Sequence, residues 1–318
     1  MKYGIIKNMF LFWIIIFAIS LYILIKSADY FTDLAEKLGL MLGMSLFLVG
    51  ALIVTFGTTL PEFATSLLAV FKGNTEVVSG NILGTVIVNI LIGFGLAPLI
   101  WKKTINIKFD LLQGALPVLV VAMVMVIFTM EDGILNFWEG VLFIAGFLIY
   151  LIYSHSIYNS TAFPKKKRPK FSIKIPLLMI VSLLVIFASS KFVIDSLVEI
   201  AKIINIGAGV LAASVLAIGT SLPEIMIAIV CVRKEKFDLT LGNIISAWIY
   251  DIFLIIGVCA LFSPLVILPM ILSLIIPFCV VTVILYWIFL ADRRITPIEG
   301  GLMILLYILY LVKLFNWF

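Results

Sequence analysis

Long apolar stretches alternate with short polar breaks from one end of the chain to the other. Apolar runs near 20 residues match a hydrocarbon layer of about 30 Å, because a helix rises about 1.5 Å per residue. Ten spans are predicted, at 8–26, 39–71, 76–101, 111–130, 134–154, 174–193, 206–232, 239–263, 266–290 and 297–316. The second and seventh are too long for one plain span. Each carries a Gly-Thr and a Leu-Pro pair near its middle. Glycine permits a bend there and proline withdraws a helix donor, so both read as broken helices. The first apolar segment, Met9 to Ile25, is longer than a leader core and lacks a small-residue cleavage site before Lys26, so it reads as a retained helix.

Composition agrees with this pattern. Hydrophobic residues make up 64% of the 318 and charged residues 12%, against roughly 45–50% and about 25% in an ordinary soluble domain. Such a chain cannot cover itself with polar surface in water, whereas lipid accepts it. Cys231, Cys259 and Cys279 lie in apolar runs and read as small packing residues. With the N-terminus outside, sixteen of the 22 Lys and Arg fall in inside loops, among them Lys26, Lys37, Lys102, Lys103, Lys234 and Lys236. Cytoplasmic loops carry such an excess, so both termini are expected outside. The run Pro164 to Lys170 looks like a nucleic-acid patch in isolation. Between two spans it reads as a cytoplasmic anchor beside anionic lipid, and no nucleic-acid partner is expected.

The chain also repeats itself. Gly57-Thr-Thr-Leu-Pro-Glu62 returns as Gly219-Thr-Ser-Leu-Pro-Glu224, Gly80-Asn81-Ile82 as Gly242-Asn243-Ile244, and Asn89-Ile90 as Asp251-Ile252, all at an offset of 162 residues. Ser27 and Asp33 answer Ser189 and Asp195 at the same offset, and Glu139-Gly140 answers Glu299-Gly300 at 160. The expected organisation is two five-helix repeats, 1–160 and 161–318, joined by a short cytoplasmic linker at about 155–173. Five is odd, so the second repeat must enter the membrane in the opposite sense. Inverted repeats of this kind place a substrate site near the midplane, between broken helices.

Most of the 17 acidic residues lie in loops or at span ends, but Glu62, Glu224 and Asp251 lie deep in apolar segments. A charge at mid-membrane costs at least a few kcal/mol, and such residues mark ion or proton paths. No Lys, Arg or His lies at comparable depth to pair with them. Thr58, Thr59, Thr220 and Ser221 stand beside the carboxylates, and the prolines at 61 and 223 free upstream carbonyls. Asn81, Thr85 and Asn89 share one helix face, as do Asn243, Ala247 and Asp251. Apart from Ala247, these are hard oxygen donors, suited to Ca²⁺ or Na⁺. Gly80 and Gly84 form a small-residue step that lets helices approach. Glu139 and Glu299 read as acids at helix starts.

At these residues the sequence resembles the cation/calcium exchanger superfamily, and within it the prokaryotic sodium/calcium exchangers. The signature is the doubled Gly-Thr-Ser-Leu-Pro-Glu with a doubled Gly-Asn-x-x-Gly-Ser-Asn-x-x-Asn/Asp. The resemblance implies an antiporter in the plasma membrane with no cofactor, no covalent chemistry and no obligatory protein partner. It exchanges Na⁺ for Ca²⁺ by alternating access, with the first and sixth spans sliding against the rest. It implies that Glu62 and Glu224 bind calcium, with oxygens added by Thr58 and Thr220. Thr59, Ser221, Thr85 and the carbonyls of Thr55 and Ala217 resemble the flanking sodium ligands, and Asn89 and Asp251 the pair that completes the middle of the site. The sequence departs from the pattern at Ala247, where a serine is usual, and at Val86 and Trp248, where an asparagine is. The alternative keeps the fold and exchanges Ca²⁺ or another divalent cation for H⁺ or K⁺, since a buried carboxylate can carry a proton instead. Against it, proton-coupled relatives usually carry Asn-Ala-Pro-Glu where this chain has Thr-Ser-Leu-Pro-Glu.

Overall fold

The computed structural model describes residues 2–106, 109–158, 172–203 and 217–314. Helix α1 runs from Lys2 to Leu42, α2 from Leu46 to Thr58, α3 from Leu60 to Phe71 and α4 from Glu76 to Trp101. Helices α5 (Phe109–Met130) and α6 (Phe137–Tyr158) follow. Beyond the linker come α7 (Lys174–Ile203), α8 (Ala217–Thr220), α9 (Leu222–Arg233) and α10 (Phe237–Phe262). Last are α11 (Ile276–Ala291) and α12 (Pro297–Leu314). Most of the expected linker lies outside the described residues, as does the start of the span expected at 206–232.

Among the described residues, seven helices are long and apolar enough to cross a bilayer, or eight if α2 and α3 count as one bent span. The predicted first span is too short. Helix α1 continues for 16 residues past Lys26, as far as Leu42, because its polar half is satisfied in place. Ser27 and Thr32 donate back to the Ile23 and Ala28 carbonyls, at 2.9 and 2.8 Å. Asp29, Asp33 and Glu36 pair with lysines from another element. Helix α7 likewise extends past the predicted residue 193.

Helices α4 and α10 form the inner layer. In each, 83% of the most apolar window is buried, against 11–39% in the other five unbroken spans; those five present most of their apolar surface outward, to lipid. The inner pair is antiparallel. The segment leading into α4 meets the chain that follows α10, where the Val266 amide donates to Thr75 Oγ1 at 3.4 Å. At the other end, Trp101 packs edge-on against Phe237, ring centroids 5.4 Å apart.

Two short antiparallel strand pairs close the ends. Strand β1 (Ile105–Asn106) pairs with β4 (Arg294–Ile295), Ile105 opposite Ile295. Strand β2 (Ile134–Leu135) pairs with β3 (Leu265–Val266), Ile134 opposite Val266.

The predicted helix starts at Glu139 and Glu299 are reciprocal caps. Glu139 Oε2 accepts from the Asn136 amide at 2.7 Å, and Asn136 Oδ1 accepts from the Glu139 amide at 3.2 Å. Glu299 Oε2 accepts from the Thr296 amide at 2.6 Å, and Thr296 Oγ1 accepts in return at 3.3 Å. Tight helix crossings lie elsewhere than Gly80, where an added methyl group would meet only Ile271 Cδ1 at 3.7 Å. One such crossing lies between Gly50 of α2 and Gly242 of α10, whose absent Cβ atoms leave room for the Leu239 and Phe47 carbonyl oxygens, and another between Gly95 of α4 and Gly300 of α12.

Candidate ion-binding site

The site forms at two breaks of matching geometry. Helix α2 bends by 41° into α3. Thr59 sits at that break with φ −82° and ψ −2°, and Ser221 at the α8–α9 break with φ −82° and ψ −1°. Pro61 and Pro223 occupy the first turns of α3 and α9, where a missing N–H costs least. The next residue in each helix is the acid. Glu62 and Glu224 therefore lie in first turns, where the helix dipole favours negative charge.

Glu62 and Asp251 are wholly buried, and Glu224 and Asn89 are 2% exposed. No oxygen of the three carboxylates has a hydrogen-bond partner, and neither does the Asn89 amide. Glu62 interacts electrostatically with Glu224 and Asp251, and Asp251 with Glu224. Three acids at the breaks and on α10 are thus drawn together inside the bundle. Among the described residues no ammonium or guanidinium pairs with them. Also among those residues, no three His, Cys, Asp or Glu side chains are close enough to hold a metal unaided. A cation here needs hydroxyls, carbonyls or amides to complete its shell.

Those groups are oriented for it. The Thr58 and Thr59 hydroxyls donate to the Thr55 carbonyl, at 3.3 and 2.9 Å. A hydroxyl whose proton is so engaged turns lone pairs outward, as a cation ligand must. The Thr58 side chain lies beside Glu224. The Thr55 carbonyl also accepts from the Thr59 amide at 2.9 Å, so three donors converge on it. The Thr55 hydroxyl reaches the Gly50 carbonyl at 2.8 Å and the Asn243 carbonyl and Oδ1 at 3.2 Å each, binding α2 to α10. Thr85 Oγ1 and Thr220 Oγ1 stand 3.5 Å apart, joining α4 to α8. Ser221 is buried at its break. Ala217 opens α8, but its side chain lies outside the described residues.

Three features were not predicted. Asn243 positions Thr55 from the facing helix. Ser66, one turn beyond Glu62, is buried with its hydroxyl unpartnered. A mostly apolar cavity of about 100 Å³, lined by Thr65, Ser66, Ala69, Val77, Val78, Asn81 and Thr220, lies between α3, the start of α4 and the α8–α9 break. The i+4 spacing from Glu62 to Ser66 was a usable signal; the Thr55–Asn243 contact spans 188 residues and left none. Helix α4 also does not keep one register through the site, because a π-helical turn occupies Asn89–Phe94, as one occupies Tyr250–Ile256 in α10. Such turns cluster at functional sites.

A family model described as sodium/calcium exchanger protein matches residues 12–155 and 174–316. The chain belongs to the sodium/calcium exchanger protein family. Among its relatives, this exchanger is 25% identical to sodium/calcium exchanger MaX1 of Methanosarcina acetivorans, covering 95% of this chain and 98% of MaX1. It is 28% identical to the putative antiporter CaxA of Alkalimonas amylolytica, over 77% of this chain and 79% of CaxA. A solved structure of the sodium-calcium exchanger NCX_Mj soaked with Na⁺ and Sr²⁺ superposes with a TM-score of 0.78 at 25% identity, covering 94% of this chain and 98% of that one. The exchanger is therefore a helical, polytopic membrane protein. Its departures from the doubled motif are built into the core. Ala247 is fully buried and Trp248 is 1% exposed. The Ser246 hydroxyl is 2.5 Å from the Tyr150 hydroxyl of α6.

Proposed function

We propose that this exchanger is a secondary antiporter of the plasma membrane that carries Na⁺ in one direction and Ca²⁺ in the other through one mid-membrane site. The observation that carries the reading is the convergence of Glu62, Glu224 and Asp251, buried and, among the described residues, without a counter-charge. An uncompensated buried carboxylate is costly, so the residues that create one act on a cation that offsets it. Glu62 and Glu224 hold calcium with Thr58 and Thr220. Thr59, Ser221, Thr85 and the Thr55 and Ala217 carbonyls serve sodium, and Asn89 and Asp251 complete the centre. The cargo is inorganic cations and no covalent step takes place.

Alternation between the two sides follows from two inverted halves, 1–160 and 161–318, with both termini outside. Four observations support that organisation. The repeat-related helices α4 and α10 run antiparallel. The pairing of Ile105 with Ile295 becomes that of Val266 with Ile134 when each residue is moved by 161 positions. The breaks at Thr59 and Ser221 share one geometry. The left-handed turn residues Gly73 (φ 78°) and Glu235 (φ 58°) occupy equivalent positions.

The test is calcium uptake into liposomes holding the purified protein, loaded with sodium or with choline at two internal pH values. Uptake driven only by internal sodium is expected. Uptake driven only by internal acid would replace sodium with protons as the co-ion.

A further inference from the structure

The polar half of α1 meets the turn between α9 and α10 through five charged side chains. Asp29, Asp33 and Glu36 are spaced by four and three, on one face of α1. Lys234 Nζ lies 2.7 Å from Asp29 Oδ1 and 2.8 Å from Asp33 Oδ1, and it donates to the Asp29 carbonyl at 3.1 Å. Lys236 Nζ lies 2.9 Å from Asp33 Oδ1 and 2.7 Å from Glu36 Oε2. Glu235 between them is left-handed, at φ 58°, a conformation that costs a non-glycine residue roughly 1–2 kcal/mol. The strained turn aims both lysines at α1.

This is a shared network rather than a set of isolated surface pairs. Asp33 serves both lysines, and Lys236 is only 13% exposed. Burial works against charge on Lys236, but the Glu36 and Asp33 carboxylates outweigh it and hold its pKa above the ordinary lysine value. Lys236 therefore stays charged at physiological pH.

Its position is one-sided. The Lys234–Phe237 turn lies at the Trp101 end of α4, whereas the cavity beside Ser66 lies toward the opposite end, where α3 turns into α4. The equivalent turn at that opposite end carries Lys72 and Asn74 in place of Lys234 and Lys236. The positions on α7 equivalent to Asp29, Asp33 and Glu36 are Lys191, Asp195 and Val198. An inverted repeat with identical halves has two end states of equal energy. In sequence, the pair of lysines facing three acids is not repeated at the equivalent positions, where one lysine and one of the three acids remain.

We propose that the Asp29–Asp33–Glu36/Lys234–Lys236 network is a one-sided clamp on α1, which holds the Trp101 end of the bundle closed and biases the exchanger toward the state open at the Ser66 end. The proposal rests on the reading of α1 and α7 as the sliding pair.

Cys231 provides the test. It is fully buried on α9, with Sγ 3.8 Å from Thr32 Oγ1 of α1, so movement of α1 uncovers it. With Cys259→Ala and Cys279→Ala in place, it is the only thiol, and maleimide labelling is followed in vesicles of phosphatidylethanolamine and phosphatidylglycerol. Lys236→Gln is expected to speed labelling by about fivefold to thirtyfold, Glu36→Gln by less, and Lys236→Arg to leave the rate unchanged. In a chain without native cysteines, Ser66→Cys reports the other end, and Lys236→Gln should slow its labelling. Unchanged Cys231 labelling in Lys236→Gln overturns the clamp, as does faster labelling at both ends, which signals local loosening. If Lys236→Gln does not fold, Glu36→Gln decides alone. Labelling needs no transport. Loss of the clamp effect with sodium-driven uptake intact therefore removes only this proposal, and absence of uptake with the clamp effect intact removes only the exchange reading.

Discussion

The substitution Gly242→Ala isolates the crossing that brings α2 and α10 together. The new methyl group would overlap the Phe47 carbonyl oxygen and stand 3.0 Å from the Ala51 nitrogen. Both are backbone atoms, so no rotamer change relieves the overlap, and the helices must separate by about 1 Å to regain ordinary contact. Overpacking of this kind costs about 1–3 kcal/mol. The same shift stretches the 3.2 Å contacts from Thr55 to Asn243 beyond hydrogen-bond range, adding about 1 kcal/mol. A total of about 2–4 kcal/mol lowers the melting temperature of a chain of this length by roughly 3–6 °C. Calcium uptake should fall as well, because Thr55 anchors the strand of hydroxyls that faces Glu224. The control is Gly80→Ala, at the equivalent position of the first half. Its nearest neighbour is a side-chain methyl at 3.7 Å, so the change should lie within about 0.5 kcal/mol of neutral. The readouts are the soluble, monodisperse fraction after heating in detergent and sodium-driven uptake in vesicles. Equal effects from the two substitutions would show that the crossing at Gly242 is not what sets the geometry.

Further predictions concern the site. Glu62→Gln and Glu224→Gln should each reduce calcium uptake to background while the protein still inserts and purifies; transport retained by either variant removes that residue from the site. Ala247→Ser should lower the sodium concentration for half-maximal exchange about fivefold, one hydroxyl ligand being worth about 1 kcal/mol; an unchanged sodium dependence places position 247 outside the sodium path. Tyr150→Phe should destabilise by about 1–3 kcal/mol, because it strips the 2.5 Å partner from the buried Ser246 hydroxyl. An unshifted melting temperature in that variant would mean that Ser246 finds another partner.

The parts of this molecule that sequence discloses are those with a local or repeated signature. The Leu-Pro pairs located both breaks, because proline acts on its own helix turn. The offset of 162 located equivalent residues, and mid-span acids stood out because lipid penalises them. What stayed hidden depends on partners far along the chain. The extent of α1 could not be read from hydropathy, since its polar end is held by lysines about 200 residues away. Gly80 drew attention as part of a small-residue step, yet a close crossing uses Gly50 and Gly242, chosen by the facing backbone. The π-helical turns shift the register within α4 and α10, and a count of residues by fours passes over them.

The strand pair between Ile105 and Ile295 has a consequence for biosynthesis. Its two sides are separated by about 190 residues, which a ribosome adds in about 10–40 s. Throughout that interval the first half lacks the surfaces that later cover it. Phe94 still awaits Tyr286, and Thr55 awaits Asn243. The nascent chain thus holds Glu62 and Asn89 in the membrane before their enclosure exists. Those side chains stay unenclosed until the closing helices emerge, and a chain cut short before residue 295 lacks the strand that pairs with Ile105.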